Sequence, residues 1–168
     1  ETGNTVSLAS GKTLDASQGF TSPAGHVIQV VTSGTISATN NTSTSWASTN
    51  YTLNITPTSS SSKIFFSFSN HMRVNGDGTY MRGGIRLRRE IDGGSATYVW
   101  NGDGSGETMQ VRNATNEHDT PAYVGGLDSP STTGVVTYTI QTKVTTGNYI
   151  QNYESAKGGN IVLMEISG

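Results

Sequence analysis

The chain has 168 residues and a formal net charge of −2 at pH 7, which is the size of one ordinary domain. It contains no cysteine, so disulfide scaffolds, thiol catalysis and cysteine-ligated zinc are excluded. No apolar run approaches the roughly 18 residues that a membrane-spanning helix needs. A pI near 5.9, without a block rich in Lys and Arg, argues against nucleic-acid binding.

β-Branched residues dominate the composition. Val, Ile and Thr supply 47 positions, whereas Ala, Leu and Met supply 19. Thr, Ser, Gly and Asn together supply 80 positions, a bias that indicates disorder only when the net charge is also high. Because β-branched side chains favour strands, the composition predicts an all-β protein.

The chain begins with a short leader. Residues 1–3 (Glu-Thr-Gly) resemble residues left by the leader of a secretion vector, so the fold prediction excludes them. Over residues 4–22, apolar and polar residues alternate on the two sides of a turn at Ser10-Gly11. Two strands of this length cannot bury a core alone, so we expect them to pack against copies of themselves. One domain is predicted over residues 23–168.

From Gly25 onward, short strands alternate with clusters of Gly, Ser, Asn and Asp. The pattern predicts strands over nine stretches, namely 26–31, 51–55, 63–69, 83–90, 98–100, 109–112, 135–144, 148–153 and 161–166. The longest of these is 135–144. No apolar spacing of three and four residues is sustained, so no long helix is expected. Eight to ten antiparallel strands with Gly-rich turns predict a β-sandwich or jelly roll.

The last predicted strand, Ile161 to Ile166, carries apolar side chains on both faces. Ile161 and Leu163 share one face, and Val162, Met164 and Ile166 share the other. This pattern is typical of a strand covered on both sides. We expect the opposite sheet to cover one face and a neighbouring subunit to cover the other.

Motifs for catalysis or metal binding are sparse. The histidines at positions 26, 71 and 118 have no Gly-x-Ser-x-Gly elbow near them, and His118 falls in a segment predicted as a polar loop. An enzyme is therefore the minority interpretation, with no catalytic residue assigned. Residues 101–106 match the first half of a calcium loop, but Arg112 stands where a bidentate glutamate is needed. We interpret this segment as a turn and predict no metal and no cofactor.

Four arginines, Arg82, Arg86, Arg88 and Arg89, lie close together in a chain with ten Lys and Arg in total. On a strand, Arg86 and Arg88 project to one face, and Arg89 projects to the other with Ile85 and Leu87. The simplest interpretation is a solvated outer face. Salt-bridged packing between subunits and recognition of anionic groups are the alternatives.

Several segments resemble one family. They are Gly25 to Val30, Ile55 to Ile64, Leu127 to Tyr138 and Ile161 to Ile166, of which Leu127 to Tyr138 is the most specific. Together they resemble the C-terminal domain of tail-fibre-like structural proteins of marine tailed phages and related aquatic viruses. Residues 7–15 (Ser-Leu-Ala-Ser-Gly-Lys-Thr-Leu-Asp) resemble the short β repeat that precedes such tips in a fibre shaft.

The resemblance implies a homotrimeric β-structured knob at the end of a viral fibre. Such a domain belongs to the virion, outside the cell, where it is joined to the rest of the fibre. Its partner is a host cell-surface receptor, either a glycan or a protein, and its role is host attachment. The family implies no catalytic residue. Two other classes stay open, namely a glycan-binding or polysaccharide-active jelly roll that is not viral, and a purely structural trimerisation domain.

The receptor surface is predicted on loops between Asn70 and Tyr123, the stretch that the resemblance covers least. Sugar rings present apolar C–H faces that pack on aromatic planes. The candidate receptor-binding residues are Tyr98, Trp100, Asn101, Asp103 and Tyr123.

Trp100 is the leading candidate, because a polar turn follows it directly. Packing of a half-buried tryptophan against the core is the competing interpretation. Trp46 is the rival aromatic residue, but its Ser- and Thr-rich context offers no charged neighbour in the sequence.

Overall fold

The computed structural model describes residues 10–11, 23–76, 80–100, 109–112, 117–152 and 159–168. Eleven strands lie in these ranges: β1 (Val27–Thr32), β2 (Thr39–Asn41), β3 (Ala47–Ile55), β4 (Lys63–Asn75), β5 (Tyr80–Ile91), β6 (Thr97–Trp100), β7 (Met109–Arg112), β8 (Glu117–Asp128), β9 (Val136–Thr146), β10 (Tyr149–Asn152) and β11 (Asn160–Ile166). None of the described residues is helical, and thus none belongs to a helix capable of crossing a membrane. The all-β class expected from composition is confirmed.

The strands form two antiparallel sheets that pack face to face. Sheet A is built around β4, which pairs with β8 along one edge and with β11 and then β10 along the other. Strands β1 and β2 pair with β11 and β10. Sheet B has the order β3-β9-β5-β6, and β7 also pairs with β5. The predicted β-sandwich is confirmed.

The core lies between the sheets and follows the alternation of the strands. In β4, Ile64, Phe66 and Phe68 are buried and face sheet B, as their spacing predicts. The Tyr51 ring of β3 meets Phe68 edge to face at a centroid distance of 5.0 Å. Tyr138 of β9 stacks on Phe66 at 6.3 Å. Aromatic contacts between strands of different sheets therefore hold the two layers together.

A polar group also joins the sheets near one end of the core. Arg89 lies on the inner face of sheet B, on the side of β5 that the alternation assigns to it with Ile85 and Leu87, and its Nη1 donates hydrogen bonds of 2.8 Å to both carboxylate oxygens of Asp128 in sheet A. The Tyr138 hydroxyl donates a 2.7 Å hydrogen bond to the same carboxylate. Burial, and then the hydrogen bond to Asp128, raise the pKa of Tyr138, so it stays a neutral donor.

The C-terminal strand is a core element. Ile161, Leu163 and Glu165 of β11 are fully buried, and their alternation with Val162, Met164 and Ile166 matches the predicted division of faces. Glu165 Oε2 accepts a 2.6 Å hydrogen bond from the Gln29 side chain. Its Oε1 accepts bonds of 2.7 and 2.8 Å from the backbone N–H and the hydroxyl of Thr58. These donors make it possible to bury the carboxylate.

Two expectations about strands are wrong. The longest strand is β4 with 13 residues, not the stretch 135–144. Residues 117–128, where a polar loop was expected around His118, form the 12-residue strand β8. Strand β8 pairs only with β4 among the described strands, and a strand at a sheet edge tolerates polar residues and the proline at position 121. Those residues hid the period-two pattern.

Candidate functional site

A cluster of aromatic and cationic side chains lies on the outer face of sheet B. The guanidinium carbon of Arg86 in β5 lies 3.7 Å from the ring centroid of Tyr98 in β6. It also lies 4.3 Å from the ring centroid of Trp46, which directly precedes β3. The Lys143 ammonium in β9 lies 5.2 Å from the Trp46 ring centroid. We call Trp46, Arg86, Tyr98 and Lys143 the arginine–aromatic cluster.

A hydrogen-bonded chain fixes the arginine of this cluster. Arg86 Nε donates a 2.8 Å bond to Oε1 of Gln141, its neighbour across β5 and β9. The Gln141 amide nitrogen in turn donates a 3.2 Å bond to the Ser48 hydroxyl of β3. Gln141 is buried although it lies on the outer face. Burial lowers the pKa of Arg86, an effect that Tyr98 opposes, and a guanidinium remains charged at neutral pH.

Strand register explains why these residues meet. Arg86 lies opposite Gln141 in one neighbouring strand, and its successor Leu87 lies opposite Trp100 in the other. A register shift between Leu87 and Arg88 then places Tyr98 beside the outer-face arginines. The cluster therefore draws on four segments that are far apart in the sequence but adjacent in sheet B.

The nearby arginines Arg88 and Arg89 pair with carboxylates, whereas Arg86 has no such partner among the described residues. Arg88, on the same face of β5, pairs with Glu90 at 2.6 Å, and Arg89 pairs with Asp128. Within the described ranges, no carboxylate forms an ion pair with Arg86. Its guanidinium thus combines a fixed position and aromatic neighbours with a positive charge that no carboxylate of the described residues pairs.

The structure separates the predicted receptor-binding residues. Tyr98 belongs to the arginine–aromatic cluster, and 48% of it is exposed. Trp100 is partly buried and packs against the hydrophobic core. Tyr123 is 62% exposed but lies in β8 of sheet A, on the other layer of the sandwich. Asn101 and Asp103 lie outside the described residues.

The prediction that loops between Asn70 and Tyr123 build the receptor surface stays a prediction, because residues 77–79, 101–108 and 113–116 lie outside the described ranges. Most of the described residues in this stretch lie in strands, including both Tyr98 and Tyr123. Trp46 was ranked below Trp100 for lack of a charged neighbour. That judgement was wrong, because Arg86 and Lys143 lie beside its ring. Its local sequence held no sign of them, since the contacts arise from the pairing of β3, β9 and β5.

The outer face of sheet A has a different character. Four apolar residues lie directly opposite one another across β1, β11, β4 and β8: Val30, Met164, Phe65 and Leu127. We call these four residues the apolar row. Val30 and Leu127, at its ends, are 52% and 55% exposed. Val27 and Ile28 add further exposed apolar surface next to it.

Groups for metal binding are absent from the part of the chain that the structure describes, where no three His, Asp or Glu side chains come together. The His26 ring, through Nδ1, lies 3.0 Å from the Pro23 carbonyl oxygen at the start of the domain. The calcium-like segment 101–106 lies outside the described residues.

No family model matches the chain. Among solved structures, the crystal structure of an exo-β-1,3-galactanase from Phanerochaete chrysosporium with β-1,3-galactotriose aligns with 86% of the chain at 13% identity and a TM-score of 0.21. The chain spans 29% of the length of that protein. A TM-score this low does not establish a shared fold, so function has to be inferred from the residues of this chain.

Proposed function

We propose that this protein is the attachment domain at the tip of a viral fibre, and that it binds a host cell-surface glycan or protein as a homotrimer. The observation that carries the proposal is the difference between the two outer faces of the sandwich. Sheet A exposes the apolar row, whereas sheet B exposes a fixed arginine between aromatic rings. One face suits self-association, and the other suits recognition of a ligand.

The outer face of sheet A supports the homotrimer. An exposed apolar strip that crosses four strands is unfavourable in water and marks an interaction surface. The row includes Met164, on the β11 face for which the sequence already predicts cover from a neighbouring subunit. The leader predicted over residues 4–22, most of which lies outside the described residues, would need copies of itself to bury its apolar residues and so favours the same occupant. Closed threefold symmetry would bring both together.

The outer face of sheet B supports receptor binding. Tyr98 presents a half-exposed ring, and aromatic planes are the surfaces on which sugar rings and receptor side chains pack. A rigid sheet holds the ring and Arg86 in fixed positions, which reduces the entropy lost on binding. The proposal places this face on the virion, outside the cell, directed away from the rest of the fibre.

We assign no catalytic residue to the chain. Infection assays test the proposed role in host attachment. The isolated protein is added to cells of a candidate host together with a virus whose fibre carries this domain. We expect saturable binding to the cells and fewer infected cells as the protein concentration rises. Absence of binding to every susceptible host would contradict the attachment role. Release of reducing sugar from cell-surface polysaccharide would identify an enzyme instead.

A further inference from the structure

The arginine–aromatic cluster has the composition of a site for a charged ligand. Its guanidinium has five N–H donors, of which the Nε–H is used by Gln141. In the described part of the chain, Arg86 forms no ion pair. Lys143 adds a second positive charge beside the Trp46 ring. The N–H groups that Gln141 and the Tyr98 side chain leave unused match the oxygens of a carboxylate or a sulfate, which guanidinium groups bind with charge-assisted hydrogen bonds.

The aromatic members of the cluster select a particular kind of anion. Tyr98 is half-exposed next to the guanidinium, and Trp46 flanks it at 4.3 Å. A sugar ring that carries an acidic substituent offers an apolar C–H face and an anionic group within a few ångströms of each other. Such a sugar can pack its C–H face on an aromatic ring while its anionic group binds the guanidinium. A small inorganic anion lacks the apolar face, and a neutral sugar lacks the charge.

We propose that the outer face of sheet B binds an anionic saccharide, with Arg86 and Lys143 holding its carboxylate or sulfate and Tyr98 and Trp46 packing on its ring. The inference rests on the proposed function and specifies the receptor as an acidic glycan. Arg86 is pre-organised for this role, because Gln141 and Ser48 fix the guanidinium before any ligand arrives. Little side-chain freedom is therefore lost on binding.

The alternative role for the cluster is purely structural. Arg86, Trp46, Tyr98 and Gln141 connect four neighbouring segments of sheet B and would strengthen it without any ligand. The two roles differ in their consequences. A structural clamp changes the free energy of unfolding when it is removed and leaves ligand affinity unchanged, whereas a binding site changes the affinity.

Three immobilised polysaccharides test the proposal: polygalacturonate, which carries carboxylates, κ-carrageenan, which carries sulfates, and agarose, which is neutral. We expect the 168-residue protein to bind at least one acidic polymer, not to bind agarose, and to bind more weakly as salt is added. Arg86→Gln and Tyr98→Ala should each lower the affinity by about tenfold or more. Tyr98→Phe, which keeps the ring, should retain most of it.

Arg88→Gln is the matched control. It removes the same charge from the same face of the same strand, but Arg88 is already paired with Glu90. We expect this variant to change the affinity by less than about threefold. Equal losses of affinity in Arg86→Gln and Arg88→Gln would show that the overall positive charge of the face, and not a specific site at Arg86, attracts the polymer. If Arg86→Gln does not fold, the Tyr98 variants decide the question on their own.

Two outcomes separate this inference from the proposed function. Binding to host cells without binding to either acidic polymer, and unaffected by Arg86→Gln, would overturn the anionic-saccharide inference and leave the attachment role intact. Absence of binding to any host cell would overturn the attachment role. Losses of stability in Arg86→Gln and Tyr98→Ala at unchanged affinity for the acidic polymer would identify the cluster as a structural clamp.

Discussion

Arg89 in sheet B and Asp128 in sheet A form an ion pair across the sandwich, with one guanidinium nitrogen 2.8 Å from both carboxylate oxygens. Their side chains are only 15% and 9% exposed. A charge at this depth depends on its partner, because water is not available to replace the lost interaction. Loss of either partner would therefore leave an unpaired charge between the two layers.

Removal of Asp128 should strongly destabilise the protein. In Asp128→Ala, Arg89 is left charged and largely buried, and Tyr138 loses its acceptor, so we expect the free energy of unfolding to fall by about 3–5 kcal/mol. Urea denaturation at a fixed protein concentration measures the change. Arg73→Gln is the control, because that residue pairs with more exposed carboxylates and should cost at most about 1 kcal/mol. Similar losses in both variants would contradict a special role for the buried pair.

The buried carboxylate of Glu165 should make stability depend on acid pH. Burial alone would raise its pKa, but the hydrogen bonds from Gln29 and Thr58 outweigh burial and hold the pKa below its ordinary value. The stabilisation is therefore present in full above the unfolded-state value of about 4.3 and is lost as the pH falls through the lower folded-state pKa.

Glu165→Gln should be less stable at pH 7 by about 1.5–3 kcal/mol. Its unfolding free energy should also change less than that of the wild type between neutral pH and pH 3. Urea titrations at several pH values measure both effects. Parallel pH profiles for the two proteins would show that this carboxylate is not the responsible group.

The apolar row should control assembly. Leu127→Glu places a charge at one end of the row, on a side chain that is already exposed, so the fold itself should tolerate it. We expect light scattering to give a trimer for the wild type and a single chain of 17.7 kDa for the variant. Asn54→Glu, on an exposed position of β3 in sheet B, should remain trimeric. A wild-type protein that is monomeric at micromolar concentration would contradict the trimer.

Trp100 should act through stability and not through binding. It is half-buried and packs against the core, so Trp100→Ala should lower the free energy of unfolding by about 3 kcal/mol. Binding of the folded fraction to host cells should be unchanged. Tyr123→Ala, at an exposed position, should alter the unfolding free energy by no more than about 0.5 kcal/mol. An unchanged melting temperature together with lost cell binding would return Trp100 to the receptor surface.

The sequence was sufficient to predict the fold class and the faces of individual strands. Alternation in residues 63–69 placed Ile64 and Phe66 on one face, because one buried face leaves a clear period of two, and apolar side chains on both faces of residues 161–166 marked a core strand. Strand β8 escaped notice, since an edge strand has polar residues and a proline in place of that pattern. Local periodicity therefore identifies covered strands better than edge strands.

The candidate site was only partly predictable. Tyr98 was identified as an aromatic candidate, and Arg86 was recognised as an outer-face cation. Trp46 was set aside, although it lies 4.3 Å from the Arg86 guanidinium. This contact depends on the pairing order of β3, β9 and β5, and the contact of Arg86 with Tyr98 depends on a register shift between β5 and β6. Pairings of this kind are non-local, and no window of the sequence contains them.

The central claim is that the outer face of sheet B, and not that of sheet A, contacts the host. Two exposed tyrosines make a matched pair, since Tyr98 lies on sheet B and Tyr123 lies on sheet A. The decisive measurement is the binding of fluorescently labelled Tyr98→Ala and Tyr123→Ala proteins to cells of a susceptible host, with the trimer of each verified by light scattering. We expect Tyr98→Ala to lose at least about tenfold in affinity and Tyr123→Ala to bind as the wild type does. Full binding by Tyr98→Ala, with loss in Tyr123→Ala, would contradict the claim.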